Sequence, residues 1–500
     1  MKKTLFIMFL GLMASLTKAN AQVDPNFYIY ICFGQSNMEG NAQPEAQDKT
    51  GVDPRFQMLA CVDFQNPSRK MGQWYTATPP LVRQGTGLGM ADYFGRTMVA
   101  NLPENCKVGV IDVAIGGTKI EGFMQDEVAS YIASMDPSTE GWLINYFKAY
   151  NNDPYQRIID MAKIAQQSGV IKGILLHQGC SNCGDPNWPG MVKKIYKNML
   201  HDLGLRASEV PIFVGETEYE NMGGGCSWHN TVVAKIPEVI PTGHVVSAEG
   251  IPGNGTDAWH FSAEGYRIFG KRYAEKALDV MNHPEQYTKY YTIDKRLTGG
   301  LSALSGSTFA IVNEAEQKAF YCPSGQKMAY GDFKTAFDIS NEAYMFKLAR
   351  ITGGRALRLV DADGNEYQID GVTACLNSQD VTGDCCFANS TGPTGQRGYD
   401  IQDGAVWTIE YVEGKGWSIL NKGTGKYLKD VNHPAMFDEP TYFTFCTLKE
   451  DTTTGIEEIR ISNHGEEIRN GGYTYNLSGQ RVGPDYKGIV IKNGKKYVIK

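Results

Sequence analysis

The sequence predicts an α/β protein: a doubly wound parallel sheet of about five strands, followed by a β-rich domain and a short β tail. Three observations carry this. From about residue 26 to 282, short β-branched apolar runs alternate with stretches of helical periodicity. After about Pro284 the helical periodicity fades into short strand-like pieces separated by Gly, Asp and Asn. The last stretch, "YNLSGQRVGPDYKGIVIKNGKKYVIK", reads as two short β segments joined by glycine turns. It is too small for a core of its own.

The first 21 residues read as a secretory signal peptide rather than as fold. Lys2 and Lys3 make a positive start, and Leu5 to Leu12 is an apolar run too short to span a bilayer. Ala19-Asn20-Ala21 is a small-residue cleavage site, so cleavage is expected after Ala21. Candidate strands then fall at 27–33, 108–114, 172–176, 211–215 and 244–248. All are apolar throughout, as expected of strands covered on both faces. Helical patterns lie between or after them, most clearly at 154–167, 190–202 and 263–281. In the last, Tyr266, Phe269, Tyr273 and Ala277 recur at helical spacing, with Ser262 placed to cap the start. Repeated strand–helix–strand units imply a parallel sheet with helices on both faces, whose chemistry sits at the carboxyl ends of the strands. The expected divisions are the signal peptide 1–21, an α/β domain 22–285, a β-rich domain 286–450 and a tail 451–500. Within 286–450, "DADGNE" and "VEGKG" are hairpin signals, and a small barrel, a trefoil or a sandwich all fit. "Asp451-Thr-Thr-Thr-Gly" reads as a linker.

Apolar content of 42% and charged content of 21% are ordinary for globular protein. A net charge of −7, with no basic stripe before the final fifty residues, argues against nucleic acid and anionic membrane as partners. No later segment has the length and apolarity of a transmembrane helix. Eleven cysteines in an exported chain allow disulfides, and the odd number leaves at least one unpaired within the chain. Cys32, inside an apolar strand, reads as a buried free thiol.

The chemistry is sought at the strand ends. "ICFGQSNMEG" closes the first strand with Gly34 and then presents Ser36 between Gln35 and Asn37. A serine hydroxyl is a poor nucleophile until a base takes its proton. "Asp257-Ala258-Trp259-His260" follows the last strand, and an Asp three residues before a His in one turn can reach Nδ1 and leave Nε2 for the serine. An oxyanion needs donors. "Ala114-Ile115-Gly116-Gly117-Thr118" follows the second strand and "His177-Gln178-Gly179" the third. Each piece alone reads as an ordinary turn; four such turns at the carboxyl ends of one sheet point to acyl transfer.

"GQSNMEG", "AIGGTKI", "HQG" and "DAWHFSAEG" resemble the SGNH-type hydrolases, which have a flavodoxin-like sheet. Within them they are similar to the sialate O-acetylesterase-like group, which includes acetyl xylan esterases of carbohydrate esterase family six. The resemblance covers about 26–282. It implies Ser36 as nucleophile, His260 as base and Asp257 as orienting acid. It also implies oxyanion donors at the Ser36 N–H, Gly117 and Gln178, a pocket formed by Gln35, Asn37 and His177, and no metal or organic cofactor. Met38 stands where hydrolases of the G-x-S-x-G type have their second glycine. One departure matters: the group's "HQGE" is "HQGCSN" here, so Cys180 replaces an acid.

Cys180, Cys183 and Cys226 with His229 have the outline of a zinc site, but exported thiols oxidise. A disulfide between Cys226 and Cys180 or Cys183 ranks first, free thiols second and zinc third. Cys322, Cys375, Cys385, Cys386 and Cys446 read as structural. "GWSILNKGTGKYL" resembles the repeat of ricin-type β-trefoil lectins, although Trp407, Tyr411 and Trp417 read slightly more as core than as sugar platforms. The tail resembles the C-terminal sorting tails of surface-exported proteins in Bacteroidetes-type bacteria, which implies a surface secretion machinery as partner.

The expected function is a secreted serine esterase that removes O-acetyl groups from a polysaccharide or oligosaccharide. Acetylated xylan is the first choice of substrate and sialic acid O-acetyl esters the second. The rivals are a glycan-binding surface protein disabled by the change at Cys180, and a lipase or thioesterase, for which no apolar lid is evident.

Overall fold

The computed structural model describes residues 23–287 without interruption, most of 291–450, and four short strands within 474–499. The expected signal peptide and the linker at 451–455 lie outside the described residues.

The first sheet has seven strands: β1 Phe27–Gly34, β2 Phe56–Leu59, β3 Trp74–Thr76, β4 Lys107–Ala114, β5 Val170–His177, β6 Ile212–Gly215 and β7 Gly243–Val246. Their order is β3-β2-β4-β1-β5-β6-β7. All neighbours run parallel except β3, which adds antiparallel to β2 at the edge. The five expected strands are present within two residues at each end. The count of about five is extended to seven by β2, whose run Phe-Gln-Met-Leu is broken by a polar residue, and by β3, whose three residues are too short to carry a period. Pairing with β4 and with each other makes them strands.

β1 lies in the middle, with β4 and β5 on its two sides. The chain turns to opposite flanks around this strand, so a crevice opens beyond its carboxyl end. Residues alternate across the sheet. Tyr30 meets Phe94 of the Met90–Asn101 helix at 4.8 Å between rings, whereas Phe33, on the other face, meets Phe123 at 5.4 Å. The Met90–Asn101 helix packs on Ala263–Asn282, and Pro154–Ala165 packs on Trp188–Leu203. Ser262 caps Ala263–Asn282 as expected, accepting from the Gly265 N–H at 3.0 Å, which is worth about 1 kcal/mol. Cys32 is a buried free thiol.

A separate twelve-stranded antiparallel sheet follows, from Tyr291–Leu297 to Thr444–Glu450. "VEGKG" forms the turn between Trp407–Val412 and Gly416–Asn421. Trp407 and Trp417 are core residues: both rings are buried, and their indole N–H groups donate to the Leu376 and Leu297 carbonyls. Tyr411 packs half-buried on Trp417. In the tail each expected β segment resolves into two strands, giving a four-stranded sheet. Among the described residues, no helix is long and apolar enough to cross a membrane.

Candidate active site

Gly34 ends β1 with φ +148°, and a Cβ there would stand 2.1 Å from the His177 carbonyl oxygen. Only glycine lets β1 and β5 stay paired while the chain turns out of the sheet. The Gln35 N–H donates to that carbonyl at 3.0 Å, and Ser36 opens a single helical turn, Ser36–Glu39.

The Ser36 hydroxyl lies 2.8 Å from His260 Nε2, and His260 Nδ1 lies 2.9 Å from Asp257 Oδ2. The loop carrying both partners is closed on itself. Asp257 Oδ1 accepts the N–H groups of Trp259 and His260, the Asn254 side-chain amide donates to Oδ2, and the Asn254 N–H donates to the His260 carbonyl. Burial opposes ionisation of Asp257, but donation from Asn254, the His260 ring and the Trp259 N–H outweighs it and holds the carboxyl at about 2. Asp257 is therefore a carboxylate at any working pH, and its acceptor oxygen favours a proton on Nδ1. Nε2 is then left with its lone pair toward the Ser36 hydroxyl.

Two residues with backbone N–H donors line the same cleft. Gly117 has φ +77° and lines it beside Ser36. Neither the Ser36 N–H nor the Gly117 N–H has an acceptor among the described residues. The neighbouring Gly116 N–H is taken by Glu39 Oε1 at 3.0 Å, and Glu39 is ion-paired with Arg83, whose guanidinium lies 3.9 Å over the Tyr146 ring. Burial pushes Glu39 up, and Arg83 and the Gly116 N–H draw it back. Glu39 thus ties the serine turn to the Gly116–Gly117 loop. Sequence reasoning missed it, although it sits three residues after Ser36 in the same short turn.

Three expectations are corrected. Gln178 does not aim its amide at the serine. It is fully buried; its NH₂ donates to the Thr118 carbonyl and to Asn182 Oδ1, and its Oε1 accepts the Trp188 indole N–H. Releasing it would strand buried polar groups at a cost of about 1–3 kcal/mol each. His177 does not line the pocket. Its ring is buried against Phe261 and Phe269, Nε2 meets the Glu216 carbonyl at 3.0 Å, and burial draws its pKa down to about 4. Asn37 is also fully buried and acts as a clamp, donating to the Trp259 carbonyl at 2.9 Å and accepting from the Tyr266 hydroxyl at 2.7 Å. It fixes the serine turn to the histidine loop. Gln35 does line the cleft, and its side-chain oxygen accepts the N–H groups of Gly179 and Ser181.

The disulfide joins Cys183 to Cys226. It closes a loop of 43 residues, which lowers unfolded-chain entropy by about 4 kcal/mol. Cys180 remains a free thiol lining the cleft, pushed up to about 12 by burial, so it is neither ionised nor nucleophilic. A carboxyl from another loop lies close by. Glu218, after β6, is 2% exposed, its Oε2 has no partner among the described residues, and its carboxyl lies against Gly253 at the foot of the histidine loop. Burial, then the Asp257 charge, push it up to about 7. The ordinary value is about 4.3, so the fold disfavours its ionised form and loses stability as pH rises from there through 7. Glu218→Gln is expected to raise Tm more at about pH 8 than at about pH 5, as read by thermal unfolding at the two pH values. An equal shift at both would show that Glu218 is ionised throughout.

A family model described as "Carbohydrate esterase, sialic acid-specific acetylesterase" matches residues 26–279. Among solved structures, a protein from Arabidopsis thaliana is similar at 20% identity, over 51% of this chain and 99% of its own, with a TM-score of 0.38. NanS is similar at 15% identity, over 52% of this chain and 100% of its own, with a TM-score of 0.39. A carbohydrate acetylesterase from Xanthomonas citri is similar at 16% identity, over 72% of this chain and 77% of its own, with a TM-score of 0.37.

Proposed function

The chain belongs to the sialic acid-specific acetylesterase family of carbohydrate esterases, and from that premise we propose that it removes O-acetyl groups from neutral sugar residues, acetylated xylan first among them. The observation that carries the reading is the hydrogen-bonded series Ser36–His260–Asp257 beside the uncommitted N–H groups of Ser36 and Gly117. Nε2 of His260 takes the hydroxyl proton as Ser36 Oγ attacks the acetyl carbonyl. The oxyanion forms against the two N–H groups. His260 then protonates the departing sugar oxygen, and water, activated by the same ring, releases acetate from Ser36. Asp257 steadies the charged ring throughout.

The charges around the cleft favour a neutral sugar over a sialic acid. No Lys or Arg is among the described residues that line it, and its acidic lining residue, Glu39, already holds Arg83. A sialic acid carboxylate would meet Glu39 with Arg83 already engaged, whereas xylose units bring no charge. Export completes the proposal: a signal peptide at 1–21, a catalytic unit 22–285, a glycan-associated β unit 286–450 and a sorting tail 451–500, with the Cys183–Cys226 disulfide suited to an oxidising compartment.

Acetate release from acetylated xylan and from O-acetylated sialic acid tests the reading. Release from xylan is expected to exceed release from sialate by at least about tenfold in kcat/KM, the effect of one missing charge partner. The reverse order would overturn the neutral-sugar assignment. Release from neither would move the protein to glycan binding without catalysis, with Cys180 as the first suspect.

A further inference from the structure

The chain has seven tryptophans; of the three that are well exposed, Trp142 and Trp259 line the Ser36 cleft and Trp228 stands on the neighbouring disulfide-linked loop. Trp142 is 49% exposed and lies against the Gly117 loop: a Cβ on Gly117 would meet its ring at 2.5 Å. Trp259, 42% exposed, precedes His260 and lines the cleft opposite. Trp228, 57% exposed, sits farther out. Its ring lies beside Gly184, 2.8 Å from where a Cβ would stand. Gly184 follows Cys183, whose disulfide partner Cys226 is two residues before Trp228. The next residue back, Gly225, packs under Trp259. The other four tryptophans are buried or half-buried.

An indole left in water forfeits most of the gain from burial, and a run of them around a cleft marks a binding surface. The backbone under Trp228 is tied to its neighbours on both sides. His229 is fully buried, accepts the Gly184 N–H at 3.1 Å and packs edge-on against Trp188, while the disulfide holds the loop from its other end. Three flat apolar faces, two at the cleft and one on the loop beside it, with no Lys or Arg among the described lining residues, suit the C–H faces of uncharged sugar rings. They offer nothing to a phosphate or a carboxylate.

We propose that Trp142, Trp259 and Trp228 form a stacking track for a chain of neutral sugars, with Trp228 a distal subsite beyond the residue that carries the acetyl group. The natural substrate is then an acetylated oligosaccharide or polysaccharide rather than a monosaccharide ester. This extends the esterase reading above.

The test replaces Trp228 by Ala and by Phe in the full chain and compares kcat/KM on acetylated xylo-oligosaccharide with kcat/KM on acetylated xylose. Loss of one stacking face is expected to lower the oligosaccharide-to-monosaccharide ratio about tenfold in Trp228→Ala, through KM, and Trp228→Phe is expected to restore most of it. An unchanged ratio in Trp228→Ala overturns the track. Binding is read separately: unacetylated xylohexaose titrated into Ser36→Ala should quench tryptophan fluorescence saturably, and adding Trp228→Ala should weaken it about tenfold. If the wild type releases no acetate but this binding holds, the esterase reading fails and the track stands. If acetate is released and xylohexaose binds equally well without Trp228, the track fails alone.

Discussion

Ser36→Ala is expected to lower kcat for acetate release on the order of 10⁶-fold, leaving only what binding and the two backbone donors supply. The size of the effect follows from how the site is joined. The Ser36 hydroxyl is the only group that the His260 Nε2 is described as contacting, so without it the base has no proton to take and no covalent route remains. The fold should not register the change. The hydroxyl makes no other described hydrogen bond, and the turn is held by the Gln35 N–H to the His177 carbonyl and by the two contacts of Asn37. Tm should therefore stay close to that of the wild type, within the few degrees that about 1 kcal/mol moves a domain of this size. Acetate release followed by pH-stat gives the rate, and labelling with a serine-directed phosphonate reads the nucleophile directly: wild type gains one adduct on Ser36 and the variant gains none. More than about 1% residual activity in Ser36→Ala, far above what such removals leave, would sink the assignment.

Asp257→Asn should cost about 10⁴ in kcat with little change in KM. Asp257 receives four donors: the His260 ring, the N–H groups of Trp259 and His260, and the Asn254 amide. Asparagine keeps one oxygen for them and turns an NH₂ either toward Nδ1 and the Asn254 amide, which share Oδ2, or toward the Trp259 and His260 N–H groups, which share Oδ1. Facing Nδ1, it drives the ring proton onto Nε2, where the serine needs a lone pair. The pH dependence has a fixed sign. The native carboxyl titrates at about 2, below the ordinary carboxylate range, so its contribution to stability is complete above about pH 4 and is lost as pH falls through 2. The acid fall in activity above that range therefore does not come from Asp257. The stability gap between wild type and Asp257→Asn should narrow between about pH 4 and pH 2. A loss of less than about tenfold in kcat would transfer the orienting role elsewhere, with Glu218 the neighbouring carboxyl to test.

Glu218 also illustrates where reading the chain ends. The change from the acid in "HQGE" to Cys180 is visible in the sequence, and it suggests a site short of one carboxyl. That a buried carboxyl from the loop after β6 stands near Cys180 and below the histidine loop is a fact of packing between segments nearly forty residues apart. No local pattern in "GETEYE" distinguishes one glutamate from the next. Gln178 is the converse case. Its place after β5 suggested a donor to the oxyanion, but side-chain direction was decided by Trp188, Asn182 and the Thr118 carbonyl, which together engage its oxygen and its NH₂.

The sequence by itself determined the parallel sheet, five of its apolar strands, the helices read at 154–167, 190–202 and 263–281, and the turns bearing Ser36, Asp257 and His260. These are local quantities: runs long enough to show a period, a glycine where a chain must turn sharply, an Asp and a His within reach of one another in one loop. Tertiary structure decided the rest. It made strands of β2 and β3, chose Cys183 over Cys180 as the partner of Cys226, joined Glu39 to Gly116 and Arg83, turned Asn37 inward as a clamp, and left Trp142, Trp228 and Trp259 in water. Each of these depends on which distant surfaces meet, because a side chain's hydrogen bonds and burial are set by whichever partner occupies the space beside it, and the order of residues along the chain does not specify that partner.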